Sequence, residues 1–228
     1  MGGFNKDRAT EWLKEKARGA FSARGFMLFS YDGPERSGWR TRVNQIKAER
    51  KSLLTHNDMC QIVSCAYATR NIPGDMVEFG VAYGASARII AEYGNGRTLH
   101  LLDTFAGLPK PTEHDSPRFF EGSYSCSLES VQRYLTGLPC RYYKGFFPGT
   151  AAPLESTTFS FVHLDVDLYE STLEGLKFFY PRMARGAVLI SHDYQSADGV
   201  DKAFAEFFVD KPEPVIALSG HQCLFTKL

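Results

Sequence analysis

From Asp75 onward the chain alternates short apolar runs with stretches of helical period, and few folds accept that pattern. Residues 76–79, 98–102, 141–144, 159–164 and 187–190 have the length and side-chain makeup of strands. Helical stretches at 85–92, 128–135, 171–179 and 200–209 fall between or after them. Such alternation implies a mostly parallel sheet with helices on both faces. The end of the chain departs from it. Residues 214–218 and 222–226 are strand-like, but Ser219-Gly220 is far too short a link for a parallel crossover, so the two must run antiparallel. The expected fold is α/β, a mostly parallel seven-stranded sheet closed by a C-terminal antiparallel hairpin.

The first fifty residues read differently. They are polar, with Arg and Lys scattered among Trp12, Phe21, Phe26, Phe29 and Trp39. Residues 10–20 read as a helix capped by Thr10, and Asp32-Gly33-Pro34 and Ser37-Gly38 as turns. A second helix is expected over 47–69, stopped by Ile72-Pro73-Gly74. Residues 1–70 are therefore expected to be a helical segment set on a ligand-binding domain at 71–228, within one structural domain overall.

Bulk charge narrows the partners. Lys+Arg and Asp+Glu both number 26, which gives no basic footprint for nucleic acid or an anionic membrane. No window approaches 18 consecutive apolar residues, so no membrane span is expected. The N-terminus lacks the apolar run of a signal peptide, and Lys6 stands where a myristoylation pattern wants Ser or Thr. The 5 cysteines are odd in number and form no C-x-x-C pair, as suits free thiols in a reducing compartment. The expected location is the cytoplasm.

Two constellations carry chemistry. Glu78-Phe79-Gly80-Val81-Ala82-Tyr83-Gly84-Ala85-Ser86 stands where the first strand meets its helix, the crevice in which open α/β sheets bind ligands. Ala82 and Ala85 occupy the second and third glycine places of the dinucleotide fingerprint, so a pyrophosphate is a poor fit. The E-x-G-x-x-x-G spacing suits a nucleoside with an amino-acid tail. Asp103 ends the second strand about twenty residues on, where an acid can accept from ribose hydroxyls. A tight turn with a capping acid is the plainer reading of the glycines alone.

The second constellation lies at the ends of the fourth and fifth strands: His163-Leu164-Asp165-Val166-Asp167 and Ser191-His192-Asp193-Tyr194. If those strands are neighbours, Asp165, His192 and Asp193 converge, and two carboxylates with an imidazole can hold a divalent ion. Asp165 and Asp167 would share a face if the strand stays extended. Helix capping is the competing role, for Asp167 above all, before a helix near Glu170. His163 is expected to pack inside the sheet. His56, His100, His114 and His221 receive no role, and Phe119, Phe120 and Tyr124 either line a substrate loop or simply pack it.

Four pieces, in order, resemble the macrocin O-methyltransferase family. They are Pro73-Gly74-Asp75-Met76-Val77-Glu78-Phe79-Gly80-Val81, Asp103-Thr104-Phe105-Ala106-Gly107-Leu108-Pro109, Lys144-Gly145-Phe146-Phe147-Pro148-Gly149-Thr150, and Leu164-Asp165-Val166-Asp167-Leu168-Tyr169-Glu170-Ser171-Thr172. The resemblance covers about two-thirds of the chain. It implies a Rossmann-like class I methyltransferase that uses S-adenosyl-L-methionine and Mg²⁺ to methylate a hydroxyl of a sugar or other small natural product in natural product biosynthesis; with His192 in the site, the divalent metal is expected to be Mg²⁺ or Mn²⁺. It implies cofactor contacts at Glu78, Gly80, Gly84 and Asp103, and Ser86, in the same turn, is expected beside them. By the resemblance Asp165 becomes a metal ligand and the base, with Asp193 a second ligand; His192, placed with them by the strand ends, is expected as a further ligand or as the alternative base. The partner is a small-molecule hydroxyl acceptor, with a homodimer as the assembly. His192 departs from the resemblance, which has an acid there, and imidazole suits Mg²⁺ poorly. Three readings of His192 follow: a different metal, a base, or a site without metal. The long loop 110–127 is expected to fold over the substrate. The alternatives are a catechol-type acceptor and a non-catalytic nucleoside-binding protein with a degenerate metal site.

Overall fold

A computed structural model describes residues 6–24 and 33–228; Phe26, Phe29 and Asp32 lie outside the described residues. The chain forms two compact units, Met1–Gly38 and Trp39–Leu228. In the first, helix α1 spans Lys6–Ser22 and runs through Thr10, which is therefore interior to the helix and does not cap it. Trp12, Leu13 and Phe21 are exposed on it.

Helix α2 spans Pro34–Glu49 and crosses the boundary between the units. Gly33 does turn, at φ 103°, but Pro34 opens a helix because its fixed φ and missing N–H suit a first helical position. Ser37 and Gly38 consequently lie inside α2, contrary to the turn expected there. The single helix expected over 47–69 is two: α2 ends at Glu49 and α3 spans His56–Ala68. Thr55 starts the new helix through a reciprocal capping box with Asp58, and that pair specifies the break.

The second unit is built on one sheet of seven strands: β1 (Asp75–Phe79), β2 (Leu99–Asp103), β3 (Cys140–Lys144), β4 (Phe159–Leu164), β5 (Met183–Ser191), β6 (Ile216–Ala217) and β7 (Cys223–Thr226). Their order is β3-β2-β1-β4-β5-β7-β6. All pairings are parallel except those of β7, which runs antiparallel to both β5 and β6, as the short Ser219-Gly220 link requires. Helices α4 (Ala85–Tyr93), α5 (Leu128–Tyr134), α6 (Tyr169–Phe179) and α7 (Asp198–Phe207) connect the strands. This is the expected fold class.

Strand β4 is buried along its whole length, and Phe159 at its start packs edge-on against Phe179 of α6, with ring centroids 5.5 Å apart. Burying a side chain of this size contributes about 1.5–3 kcal/mol. The chain builds outward from β1 to β3, then returns to lay β4 on the other side of β1. The reversal opens a crevice at the carboxyl ends of β1 and β4. Among the described residues no helix is long and apolar enough to cross a membrane, and all five cysteines are free.

The far edge is tied by one buried acid. Glu213 accepts from Tyr180 Oη (2.7 Å), Lys227 Nζ (2.6 Å) and the Leu228 N–H (3.2 Å). Burial works to raise its pKa, but these donors outweigh it and pull the value down to about 2. A carboxylate with a depressed folded pKa stabilises above its unfolded value and loses that contribution as pH falls through the folded one. Glu213→Gln is therefore expected to lower stability by roughly 2 kcal/mol at neutral pH. The gap to the parent chain should close as pH falls from about 4.5 towards 2. Urea denaturation across that range checks it, and a gap independent of pH would contradict it.

Candidate active site

The turn after β1 is shaped by neighbouring backbone. Gly80 has φ 91°, and a Cβ added there would lie 1.8 Å from the carbonyl oxygen of Asp165. Its small size thus allows the chain leaving β4 to press against the chain leaving β1. Gly84, at φ 81°, opens α4, and its missing Cβ faces Val131 Cγ1 of α5 at 3.1 Å. Gly84 was expected to touch a ligand, but it packs against α5 and is not on the cavity wall.

Asp103 holds this turn. Its Oδ2 accepts from the N–H groups of Val81 (2.7 Å) and Ala82 (3.0 Å), and its Oδ1 from Phe105 (2.6 Å). A carboxylate offers about four lone-pair directions; Thr104 Oγ1 is also 3.5 Å from Oδ1, but its proton is better placed on the Gly107 carbonyl at 2.6 Å, so the Asp103 side chain, which lines the cavity, retains an acceptor site. Ser86 lines the same cavity from the first turn of α4.

Glu78 does not reach the cavity. It pairs in register with His163 across β1 and β4, so the two side chains share a face inside the sheet. His163 Nδ1 lies 2.8 Å from Glu78 Oε1, and both side chains are fully buried. Burial pushes the Glu78 carboxyl up, against the pull of His163. His163 packs inside the sheet as expected, and Glu78, expected as a ligand contact, supports the turn from beneath.

The cavity measures about 380 Å³ and opens at the carboxyl ends of β1, β2, β4 and β5. That volume is in the range of small-molecule sites. The Asp103-clamped turn lies on one side of it, and Asp165, Asp167, His192 and Asp193 on the other. Asp165 and Asp167 do not share a strand face, since β4 ends at Leu164 and Asp167 turns the chain at φ 62°. Nor does Asp167 cap α6. The N-cap position is Leu168, and the Tyr169 N–H donates instead to Asp115 Oδ1 at 2.7 Å. That bond anchors the loop 110–127, from which Arg118, Phe119, Ser123 and Tyr124 line the cavity. Phe120 is exposed.

Charge is concentrated here. His192 Nδ1 lies 3.0 Å from Asp193 Oδ2 and 3.4 Å from Asp165 Oδ1. Nε2 lies 3.7 Å from Asp58 Oδ2. Burial would lower the imidazole pKa, but Asp165, Asp193 and Asp58 outweigh it and raise the value far above the usual histidine range. Burial would raise Asp193. His192, Asp167 and Arg118, whose Nη2 is 3.0 Å from Asp193 Oδ1, hold it below the carboxylate range. Asp167 goes the other way: burial first, then the charges of Asp165 and Asp193, push it well up.

One donor atom each from Asp165, His192 and Asp193 lies within 4.8 Å of the other two. The carboxylates that stabilise an imidazolium would equally stabilise a divalent cation shared among them, and one nitrogen with two oxygens suits a first-row transition ion. Asp58 and Arg118 reach this group from distant parts of the chain and were not anticipated. Asp58 reads locally as a helix cap, and an exposed-loop arginine carries no signal of its partner. Phe147, which packs on Phe79 with centroids 4.6 Å apart, was likewise given no role. His100 lies between Tyr143 and Asp75, and His114 against Tyr169, both away from the cavity wall.

The two glycines should respond unequally to a methyl group. Gly80→Ala drives Cβ into backbone and is expected to cost more than about 2 kcal/mol. Gly84→Ala meets the end of a side chain and should cost less. Thermal denaturation of the two variants ranks them, and equal losses would contradict the close approach.

Residues 50–218 match the family model described as Macrocin-O-methyltransferase (TylF). The demethyldecarbamoylnovobiocin O-methyltransferase of Streptomyces niveus is 29% identical over 162 residues, 60% of this chain and 60% of that one. The mycinamicin III 3''-O-methyltransferase of Micromonospora griseorubida is 32% identical over 142 residues, 54% of this chain and 56% of that one. The chain thus spans less than two-thirds of the length of these relatives. The solved structure of the O-methyltransferase NovP superposes with a TM-score of 0.66 at 24% identity, covering 77% of this chain and 81% of the other, a likeness of fold.

Proposed function

The chain belongs to the macrocin O-methyltransferase family, and we propose that it transfers a methyl group from S-adenosyl-L-methionine to a hydroxyl of a sugar or another small natural product. The observation that carries this reading is the juxtaposition, in one cavity, of the Asp103-clamped turn and the Asp165–His192–Asp193 group. The backbone of Gly80–Tyr83, with Ser86 and Asp103, would hold the nucleoside and its amino-acid tail. Glu78 and Gly84 support that turn without touching the ligand. S-adenosyl-L-methionine supplies an electrophilic methyl already primed for displacement, which leaves alignment, exclusion of water and a deprotonated acceptor to the protein.

Asp165 stands beside the turn through the Gly80 contact, and it is the group we assign to orient the acceptor hydroxyl and take its proton. His192, 3.4 Å away, is the weaker candidate for that proton, because the carboxylates around it favour its protonated form and an ion shared among them would occupy its lone pair. Phe119, Tyr124 and Phe147 wall the cavity and exclude water. Alignment of this kind can contribute up to about 7–11 kcal/mol. Asp165, His192 and Asp193 would hold a divalent ion, Mg²⁺ or Mn²⁺, whose Lewis acidity lowers the pKa of the acceptor hydroxyl. The relative named mycinamicin III 3''-O-methyltransferase supports a natural-product hydroxyl as acceptor, a sugar among them, and a catechol is the alternative that the same donor group could orient. The free cysteines suit a cytoplasmic location.

The test is methyl transfer from radiolabelled donor to a panel of glycosylated and catechol acceptors. Asp165→Asn is expected to lower kcat by about 10²- to 10⁴-fold and leave S-adenosylhomocysteine affinity unchanged. Turnover at the parent rate in that variant would remove Asp165 from the mechanism. Binding of S-adenosylhomocysteine with no acceptor methylated would favour a nucleoside-binding protein.

A further inference from the structure

His192 brings a nitrogen into an otherwise carboxylate group, and the carboxylate behind it is placed in a way its own helix does not require. Asp58 is the third residue of α3. Its Oδ2 accepts from the Thr55 N–H (2.8 Å) and Thr55 Oγ1 (2.7 Å), which completes the capping box. A capping box asks for one carboxylate oxygen at a helix surface. Here the residue is 2% exposed, and Oδ1 has no hydrogen-bond partner among the described residues. The loop at Gly220 presses on that oxygen, and a Cβ there would lie 2.9 Å from it. Lys47 lies near enough to feel the charge, but its ammonium donates to the Leu54 carbonyl. The nearest ring nitrogen is His192 Nε2, 3.7 Å from Oδ2, within ion-pair reach. On the opposite side of the ring, Nδ1 faces Asp193 Oδ2 and Asp165 Oδ1.

We propose that Asp58 is a positioning residue that keeps the proton of His192 on Nε2, aims the Nδ1 lone pair at the Asp165–Asp193 pair, and so makes the site select Mn²⁺ or another first-row transition ion over Mg²⁺. The inference rests on the reading above that this group holds a divalent ion. A ligating imidazole usually donates its other N–H to a carboxylate, which fixes the tautomer and the ring orientation. Imidazole suits transition ions, whereas Mg²⁺ prefers oxygen donors throughout.

The experiment titrates the metal-stripped full chain with MnCl₂ and with MgCl₂ by calorimetry. S-adenosylhomocysteine affinity is measured alongside, and the Mn²⁺ sample is examined by electron spin echo for coupling to ¹⁴N. The parent chain is expected to bind Mn²⁺ at least about tenfold more tightly than Mg²⁺ and to show that coupling. His192→Asp should narrow the preference and abolish the coupling. Asp58→Asn should weaken Mn²⁺ binding by about 10- to 100-fold and leave S-adenosylhomocysteine affinity unchanged. Thr55→Ala, which removes the cap partner but not the contact with His192, should lower the melting temperature and leave Mn²⁺ affinity intact. Equal ion preference in the parent chain and His192→Asp, absent ¹⁴N coupling, or no ion binding at all would overturn the inference. With S-adenosylhomocysteine still bound, any of those results leaves the methyltransferase reading standing. Loss of S-adenosylhomocysteine binding by the parent chain would instead defeat that reading.

Discussion

Gly80 and the carbonyl of Asp165 meet at the point where the strand order reverses, and no side chain larger than hydrogen fits between them. That contact sets the distance between the two halves of the cavity. On one side it fixes the turn that Asp103 clamps through three backbone N–H groups, and on the other it fixes where β4 releases Asp165. The His192 N–H donates to the Leu164 carbonyl at 3.0 Å, which carries the same register across to β5. A parallel sheet brings the ends of its strands together; the missing Cβ determines how closely.

The electrostatics of the site follow from that crowding. Asp165, Asp167, Asp193 and Asp58 surround one imidazole and one partly exposed guanidinium, in a region where burial penalises every charge. The group relieves itself unevenly. Asp193, beside His192 and Arg118, has its pKa pulled down, and Asp167, with carboxylates for neighbours, has its pKa pushed up. Carboxylates separated in this way can take different parts in handling a proton.

The α/β alternation and the antiparallel end were readable in the sequence because apolar runs and a link of a few residues are local signals. The convergence of Asp165, His192 and Asp193 was readable too, because it follows from β4 and β5 being neighbours. What escaped depended on partners far away in the chain. Asp58 is spent locally on Thr55, so nothing near it in sequence points to His192. Glu78 looked like a ligand contact because its register with His163 is a property of the assembled sheet. The break between α2 and α3 was missed for a local reason: it contains neither proline nor glycine, and the Thr55–Asp58 capping box carries the whole signal.

The central claim is that the turn clamped by Asp103 is a nucleoside site. Calorimetric titration of the purified full chain with S-adenosylhomocysteine tests it most directly. The account predicts saturable, micromolar binding of one molecule per chain. A demonstrably folded sample that takes up none, with or without a divalent ion present, would contradict it.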